Sequence, residues 1–325
     1  MNILEQNNAG DFFRGLDHIH VDGKYSYLHR LDAKLIKYYE SLGETKAIRA
    51  KCSAGVSCCF KSNSKSLSIS FISLTGARKY FSFDLFINGY FVRSIEGNKS
   101  DQLQNIKIDF EFDNFIDQDN EIEIYFPQSR TIGIAELSIE NAIPLPKPKH
   151  SYLALGDSIT QGMDAVKPSS TYAVQLSRLT GYELFNQGVG GHIFDDRTVF
   201  SPIKKPEIIT IAFGTNDFST IKIKNTLTEN IDNYLKKITE LFPQTPTYVM
   251  TPIWRSIEGE LNDFSANLQD IRKTIQELAI SHNLDVIDGL KLVPNQESFF
   301  VDGCHPTDEG FLHYALGIAK YLKPS

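Results

Sequence analysis

Five short stretches hold the side chains with chemical reach. "GDS" at 156–158 offers a hydroxyl, Ser158, beside an acid, Asp157. "NQGVGGH" at 186–192 offers glycine N–H donors and the imidazole of His192, and "GTND" at 214–217 offers the amide of Asn216. "TPIWR" at 251–255 holds Trp254, the only tryptophan, and "DGCHP" at 302–306 sets Asp302 three residues before His305. Hydrolysis of an ester needs this inventory. A hydroxyl is a weak nucleophile until a base removes its proton. An imidazole suits that task near neutral pH, and a carboxylate holds it in the right tautomer and stabilises the imidazolium. One turn of loop brings Asp302 to His305. Negative charge then develops on the former carbonyl oxygen, and each fixed donor there is worth about 3–4 kcal/mol. The backbone N–H of Ser158, a glycine N–H within 188–191 and the Asn216 amide are the candidate donors.

Taken singly, these residues have plainer roles. A Ser in a Gly/Asp turn is usually turn chemistry, and Asn216-Asp217 reads as an Asx-turn or helix cap, the role expected for Asp217. Trp254 serves equally as core or pocket wall, where an aromatic platform suits a sugar ring or flat acyl group. His192 borders the pocket or sits on a surface loop. What favours chemistry is position, and position depends on the elements that carry these residues.

After residue 146 short apolar runs alternate with helical patterns. "YLALG", "ELFNQG", "EIITIAFG", "TYVMT" and "DVIDG" are unalternated, as in strands buried on both faces of a parallel sheet. Leu227, Ile231, Tyr234, Leu235, Ile238 and Leu241 recur at helical spacing, as do Leu261, Phe264, Leu268, Ile271, Ile275 and Leu278. Strands alternating with helices imply a three-layer α/β domain. In such sheets ligands gather at the carboxyl ends of the strands; four of the stretches directly follow predicted strands, and "DGCHP" comes some way after the last. From about 55 to 140 the period is two instead: Leu67, Ile69 and Phe71; Phe81, Phe83, Leu85 and Ile87; Ile106, Ile108, Phe110 and Phe112; Ile122, Ile124 and Phe126. Asn88-Gly89 is a hairpin signal, since both positions need positive φ. These patterns imply an antiparallel sandwich. The first 50 residues read as strands and loops opening the same domain. "AIPLPKPKH" at 142–150 is a stiff, proline-rich connector, so the boundary is expected at 145/146.

"GDSIT", "NQGVGG", "GTND" and "DGCHP", in this order, resemble the four blocks of the SGNH (GDSL) esterase/lipase family over about the last 175 residues. The resemblance implies a flavodoxin-like three-layer domain over 146–325. Ser158 would be its nucleophile, and Asp302 and His305 would complete the triad. Ser158, Asn216 and a glycine of the second block would form the oxyanion hole. The usual Asn-x-x-x-x-Gly pattern selects Gly191, with Gly190 the alternative. Asp157, His192 and Trp254 are the candidate substrate contacts. A β-sandwich ahead of such a domain is similar to the two-domain branch that includes carbohydrate esterases and a polyketide-tailoring acyltransferase. That likeness implies an all-β, jelly-roll-like domain over 1–145. The expected activity is a serine esterase on a short-chain ester, such as an O-acetyl group on a carbohydrate. The rivals are an acyltransferase and a non-catalytic carbohydrate-binding protein.

Composition excludes other classes. The chain has 325 residues, 41% apolar and 22% charged, with a net charge of −7; this acidic balance and the absence of a basic run argue against nucleic acid. No apolar run approaches the roughly 20 residues of a membrane span, and no secretory leader is visible at the N-terminus, so a cytoplasmic location is expected. Cys52, Cys58, Cys59 and Cys304 form no C-x-x-C pair and are expected to be reduced thiols. Asp302, His305, Asp308 and His313 have spacings seen in metal sites, but Asp308 and His313 fall at and inside the last predicted helix, where Asp308 suits the first turn. "GVGGHI" fails as a dinucleotide fingerprint because Ile193 occupies the third glycine position. No metal or organic cofactor is expected. His18, His20 and His29 are read as structural or surface residues without ligand-like partners.

Overall fold

The computed structural model describes residues 1–98, 103–109 and 119–322. The chain divides into two compact units, Met1–Lys149 with Lys167–Ser169, and His150–Val166 with Ser170–Ser325.

The first unit runs β1 (Phe13–Arg14), β2 (His18–Asp22), β3 (Tyr25–His29), α1 (Ala33–Ser41), α2 (Glu44–Ala50), β4 (Ser57–Ser62), β5 (Ser66–Gly76), β6 (Phe81–Ile87), β7 (Tyr90–Gly97), β8 (Leu103–Asp109), β9 (Asn120–Tyr125), β10 (Arg130–Ile139) and β11 (Ile143–Pro144). One sheet has the order β1-β4-β9-β6-β7, with β11 on β4, and the other β2-β3-β10-β5-β8. Alternation decides what lies between them. Leu67, Ile69 and Phe71 from one sheet and Phe83, Leu85, Ile122 and Ile124 from the other share one buried cluster. Phe71 meets Phe83 edge-on at 5.1 Å. Each such side chain contributes about 1.5–3 kcal/mol on full burial. The hairpin joining β6 and β7 turns at Asn88 (φ 51°) and Gly89 (φ 82°), as the dipeptide demands. Phe110 and Phe112 lie outside the described residues.

Two expectations need correction here. Residues 33–50 are not strand and loop but two helices. Asp32 caps the first by accepting from the Lys34 N–H, and Leu35, Ile36 and Tyr39 bury its inner face; with only one apolar cluster per turn, that stretch is too short for its period to stand out. Strand β6 is buried on both faces rather than one. The polar alternate Asp84 is satisfied there by the Ser94 hydroxyl (2.6 Å) and by the backbone N–H (2.9 Å) and hydroxyl (2.6 Å) of Ser169.

The second unit contains β12 (Ser151–Gly156), α3 (Ser158–Gln161), α4 (Tyr172–Thr180), β13 (Glu183–Asn186), β14 (Ile208–Ala212), α5 (Thr215–Thr220), α6 (Lys224–Leu241), β15 (Thr247–Met250), α7 (Leu268–Ser281), β16 (Asp285–Ile287) and α8 (Asp308–Ala319). Its sheet is parallel, with the order β13-β12-β14-β15-β16. The chain thus starts in the sheet interior, steps outward once and returns past its start, which is the flavodoxin-type order. With right-handed crossovers, α4 falls on one face and α6 and α7 on the other. The packing agrees: α4 meets α8, and α6 meets α7. Leu227, Ile231, Tyr234, Leu235 and Ile238 are buried against Leu153, Ile209, Ile211 and Val249. Helix α7 begins later than its apolar spacing predicts. Asn267 and Asp270 form a reciprocal capping box, Ser265 turns with φ 60°, and Leu261 is exposed. Capping chemistry overrides the periodicity there.

Candidate active site

Strand β12 delivers Ser158. The strand is fully buried, and it ends on Gly156, where a Cβ would stand 2.0 Å from Thr160 Oγ1 and 2.7 Å from the Ala212 carbonyl oxygen. Only glycine lets the chain turn that closely over its neighbour. Asp157 then caps α3, its Oδ1 accepting from the Ile159 N–H at 3.0 Å. Ser158 opens that helix, so its N–H has no carbonyl partner within the helix.

His305 arrives from a loop that the structure pins at several points. Phe300 and Pro306 form a bridge, and the Val301 N–H donates to the His305 carbonyl at 2.8 Å. Gly303 adopts φ 72°, and a Cβ there would meet Ser256 Oγ at 2.4 Å. Asp302 Oδ1 accepts from the N–H groups of Cys304 (3.1 Å) and His305 (2.8 Å). Its other oxygen, Oδ2, lies 2.8 Å from His305 Nδ1. On the far side of the ring, Nε2 lies 2.8 Å from Ser158 Oγ. Residues 147 apart in sequence thus meet at hydrogen-bond distance. Partial burial pulls the Asp302 carboxyl upward. The His305 backbone N–H, the His305 ring and the Cys304 N–H outweigh that effect and hold it below its ordinary value.

The second block packs under α3. Asn186 Nδ2 donates to the Thr160 carbonyl (2.8 Å) and its Oδ1 accepts from the Gly188 N–H (2.9 Å). The Gly190 N–H is spent on Gln161 Oε1 at 2.9 Å. Gly191 turns with φ 71°. His192 is buried, its ring edge-on to Phe213, so the surface-loop alternative falls. Asn216 Nδ2 donates to Asp157 Oδ2 (3.0 Å) and to the His192 carbonyl (3.1 Å), tying the first three blocks together. Asp217 is structural: its carboxylate accepts from the N–H groups of Phe194 and Gly214, both at 3.0 Å. Burial pushes that carboxyl up to about 7 against the pull of these donors. Trp254 is half-buried and packs on Phe300 at 5.1 Å, two residues before Asp302. The loop carrying it hangs on Arg272, which donates to the carbonyls of Pro252 (2.7 Å) and Ile253 (3.0 Å). Asp308 sits in the first turn of α8 and accepts from the Val166 N–H at 2.8 Å.

One site residue has no signal in the sequence. Asp164 Oδ2 lies 3.1 Å from His305 Nδ1, on the same ring nitrogen as Asp302. No motif spacing marks it, because its approach depends on a left-handed backbone, φ 68°.

Residues 154–311 match the model of the GDSL-like lipase/acylhydrolase family. The chain carries a GDSL-like lipase/acylhydrolase domain. None of the curated proteins matches the sequence. Among solved structures, the salicylyl-acyltransferase SsfX3 from a tetracycline biosynthetic pathway aligns with 95% of this chain and 92% of its own, at a TM-score of 0.80 and 17% identity. A protein described as a GDSL-like lipase from Bacteroides ovatus covers 99% and 95%, at 0.72 and 19%. A family two carbohydrate esterase from Clostridium thermocellum, solved with cellohexaose, covers 83% and 92%, at 0.61 and 14%. At these identities the likeness is one of fold. Among the described residues, no helix of this GDSL-domain chain is long and apolar enough to cross a membrane.

Proposed function

We propose that this chain is a serine esterase acting on short-chain acyl esters, with O-acetylated carbohydrates as the substrate class. The observation that carries the proposal is the hydrogen-bonded line from Ser158 Oγ through His305 to Asp302, with 2.8 Å at each step. In this reading His305 Nε2 takes the Ser158 proton as Oγ attacks the ester carbonyl carbon. The C=O electron pair moves onto oxygen, where the N–H groups of Ser158 and Gly191 and the Asn216 amide receive it. Gly191 is preferred over Gly190, whose N–H already serves Gln161. Asn216 must turn one hydrogen from its present acceptors toward the oxyanion. Collapse breaks the bond to the alcohol, which leaves with the proton from His305. Water then attacks the acyl-enzyme, giving its proton to His305, and the acid departs as Ser158 regains its hydrogen. Trp254 and Phe300, beside the Asp302 loop, would border the acyl or sugar ring.

A fluorophosphonate probe should label the wild type and spare Ser158→Ala; equal labelling of both would end the proposal. Activity on a nitrophenyl ester panel should fall beyond hexanoate. A second reading, transfer of the acyl group to a hydroxyl acceptor, draws support from the whole-chain likeness in fold to an acyltransferase. Supplying an acyl donor with candidate acceptors and measuring the ratio of ester to free acid separates the two.

A further inference from the structure

The ring of His305 carries a single hydrogen on Nδ1 in the tautomer that leaves Nε2 free to accept from Ser158. Two carboxylates address that one position: Asp302 Oδ2 at 2.8 Å and Asp164 Oδ2 at 3.1 Å. Their settings differ. The Asp302 side chain is 48% exposed and that of Asp164 only 12%. Asp302 also divides itself between the ring and two backbone N–H groups. Asp164 belongs to the segment that carries the nucleophile. After α3 the chain folds back through Gly162, with φ 88°, and Asp164, with φ 68°. This returns the Asp164 carboxylate to the opposite side of the imidazole from Ser158, six residues away. A left-handed residue that is not glycine carries strain unless something retains it, and Asp is among the few side chains that tolerate the conformation.

We infer that Asp164 is a positioning residue for His305, a second acid that shares the Nδ1 hydrogen with Asp302 and stabilises the imidazolium formed during acyl transfer. This rests on the serine esterase proposal. The segment 158–164 then grips the base at both nitrogens, with Ser158 on one and Asp164 on the other. Asp302, on a more exposed loop, is a partner whose loss Asp164 partly offsets.

The test is a cycle of Asp302→Ala, Asp164→Asn, Asp164→Gly and the double variant Asp302→Ala/Asp164→Asn, with kcat and KM measured separately on nitrophenyl acetate. Asn keeps the size and the left-handed tolerance of Asp, and Gly relieves the backbone, so both Asp164 variants should melt near the wild-type temperature. Each single variant should lower kcat by about 10- to 100-fold with little change in KM. The double variant should approach the roughly 10⁴-fold loss known for removal of a triad acid. The low-field proton resonance of the His305 Nδ1–H should persist in Asp302→Ala and vanish in the double variant. A full 10⁴-fold loss in Asp302→Ala alone, or a double variant no slower than that single, overturns the inference. So does an Asp164→Asn that only melts earlier. The ligand atoms of Asp164, Asp302 and His305 lie within 4.8 Å of one another, close enough to hold a divalent cation. Activity unchanged by a chelator supports the shared hydrogen, while loss on chelation restored by a divalent ion overturns it. Should Ser158→Ala keep its esterase activity, the serine proposal fails by itself; the proton resonance still reports whether Asp164 holds the ring.

Discussion

His29 and His305 carry the same ring in opposite surroundings. His29, in the first unit, lies 3.2 Å from His18 Nε2 through its Nδ1 and stacks on His20 at 5.3 Å. His18 in turn holds Asp17 at 2.8 Å. The three rings line a cavity of about 380 Å³. Burial, then the neighbouring His18, His20, Lys51 and Arg30, push the His29 ring down to about 3. Among the described residues, the neighbours that act on it are imidazoles and cations rather than a carboxylate that would favour the charged ring. His305 instead stands between a hydroxyl and two carboxylates. An imidazole becomes a base through what faces its two nitrogens, not through burial alone.

The comparison breaks most sharply at the rings themselves. His305→Ala and Ser158→Ala should each lower kcat by about 10⁶-fold, the loss seen when one member of such a unit is removed. His29→Gln should leave kcat unchanged. Steady-state kinetics on one nitrophenyl ester compares all three, and a kcat lost with His29 would reverse the assignment. Next in size, Asn216→Ala should cost about 10²–10³-fold in kcat, the range for an oxyanion donor; a change confined to KM would remove Asn216 from that role.

Gly303→Ala tests whether loop geometry, rather than residue type, fits His305 for the proposed role of base. Its Cβ would enter the Ser256 side chain, and its φ of 72° disfavours alanine. A displacement of about 1 Å at the ring is enough for about a 10²-fold loss, so kcat should drop while the first unit's melting is unchanged. A wild-type kcat would show that the loop absorbs the methyl group.

The smallest effects concern pH. The folded His29 resists protonation, while the unfolded ring gains a proton near 6.5. Its contribution is therefore full above about 6.5 and is lost as pH falls toward about 3. His29→Gln should flatten that part of the stability profile in denaturant titrations. Asp302 behaves differently. Its folded carboxyl sits below the ordinary 3.8, so its contribution persists to pH 3.8 and disappears only as pH falls through the lower folded value. An Asp302→Asn variant that changed the profile at pH 5–6 instead would contradict this order.

Much of this was legible in the chain itself. Period-two and unalternated apolar runs separate an antiparallel region from a parallel one because side-chain direction repeats every two residues in any strand. Asn88-Gly89 declares its turn because few other residues accept positive φ. Short, locally decided features stay hidden: the cap of α1 rests on one hydrogen bond and that of α7 on two, too small a signal against periodicity. At the site, Ser158 and Asn216 stand out as residue types at the ends of strands, and Asp302 and His305 as a pair some way past the last strand. The sequence by itself determined that a hydroxyl, an amide, a carboxylate and an imidazole stand on strand-following loops, since strand ends and turn residues are local properties. Only the tertiary structure decided that Gly190 spends its N–H on Gln161 and that Asp164 joins Asp302 on one ring nitrogen. Those outcomes depend on distances of a few tenths of an ångström, set where segments far apart in sequence pack together, and no local pattern encodes them.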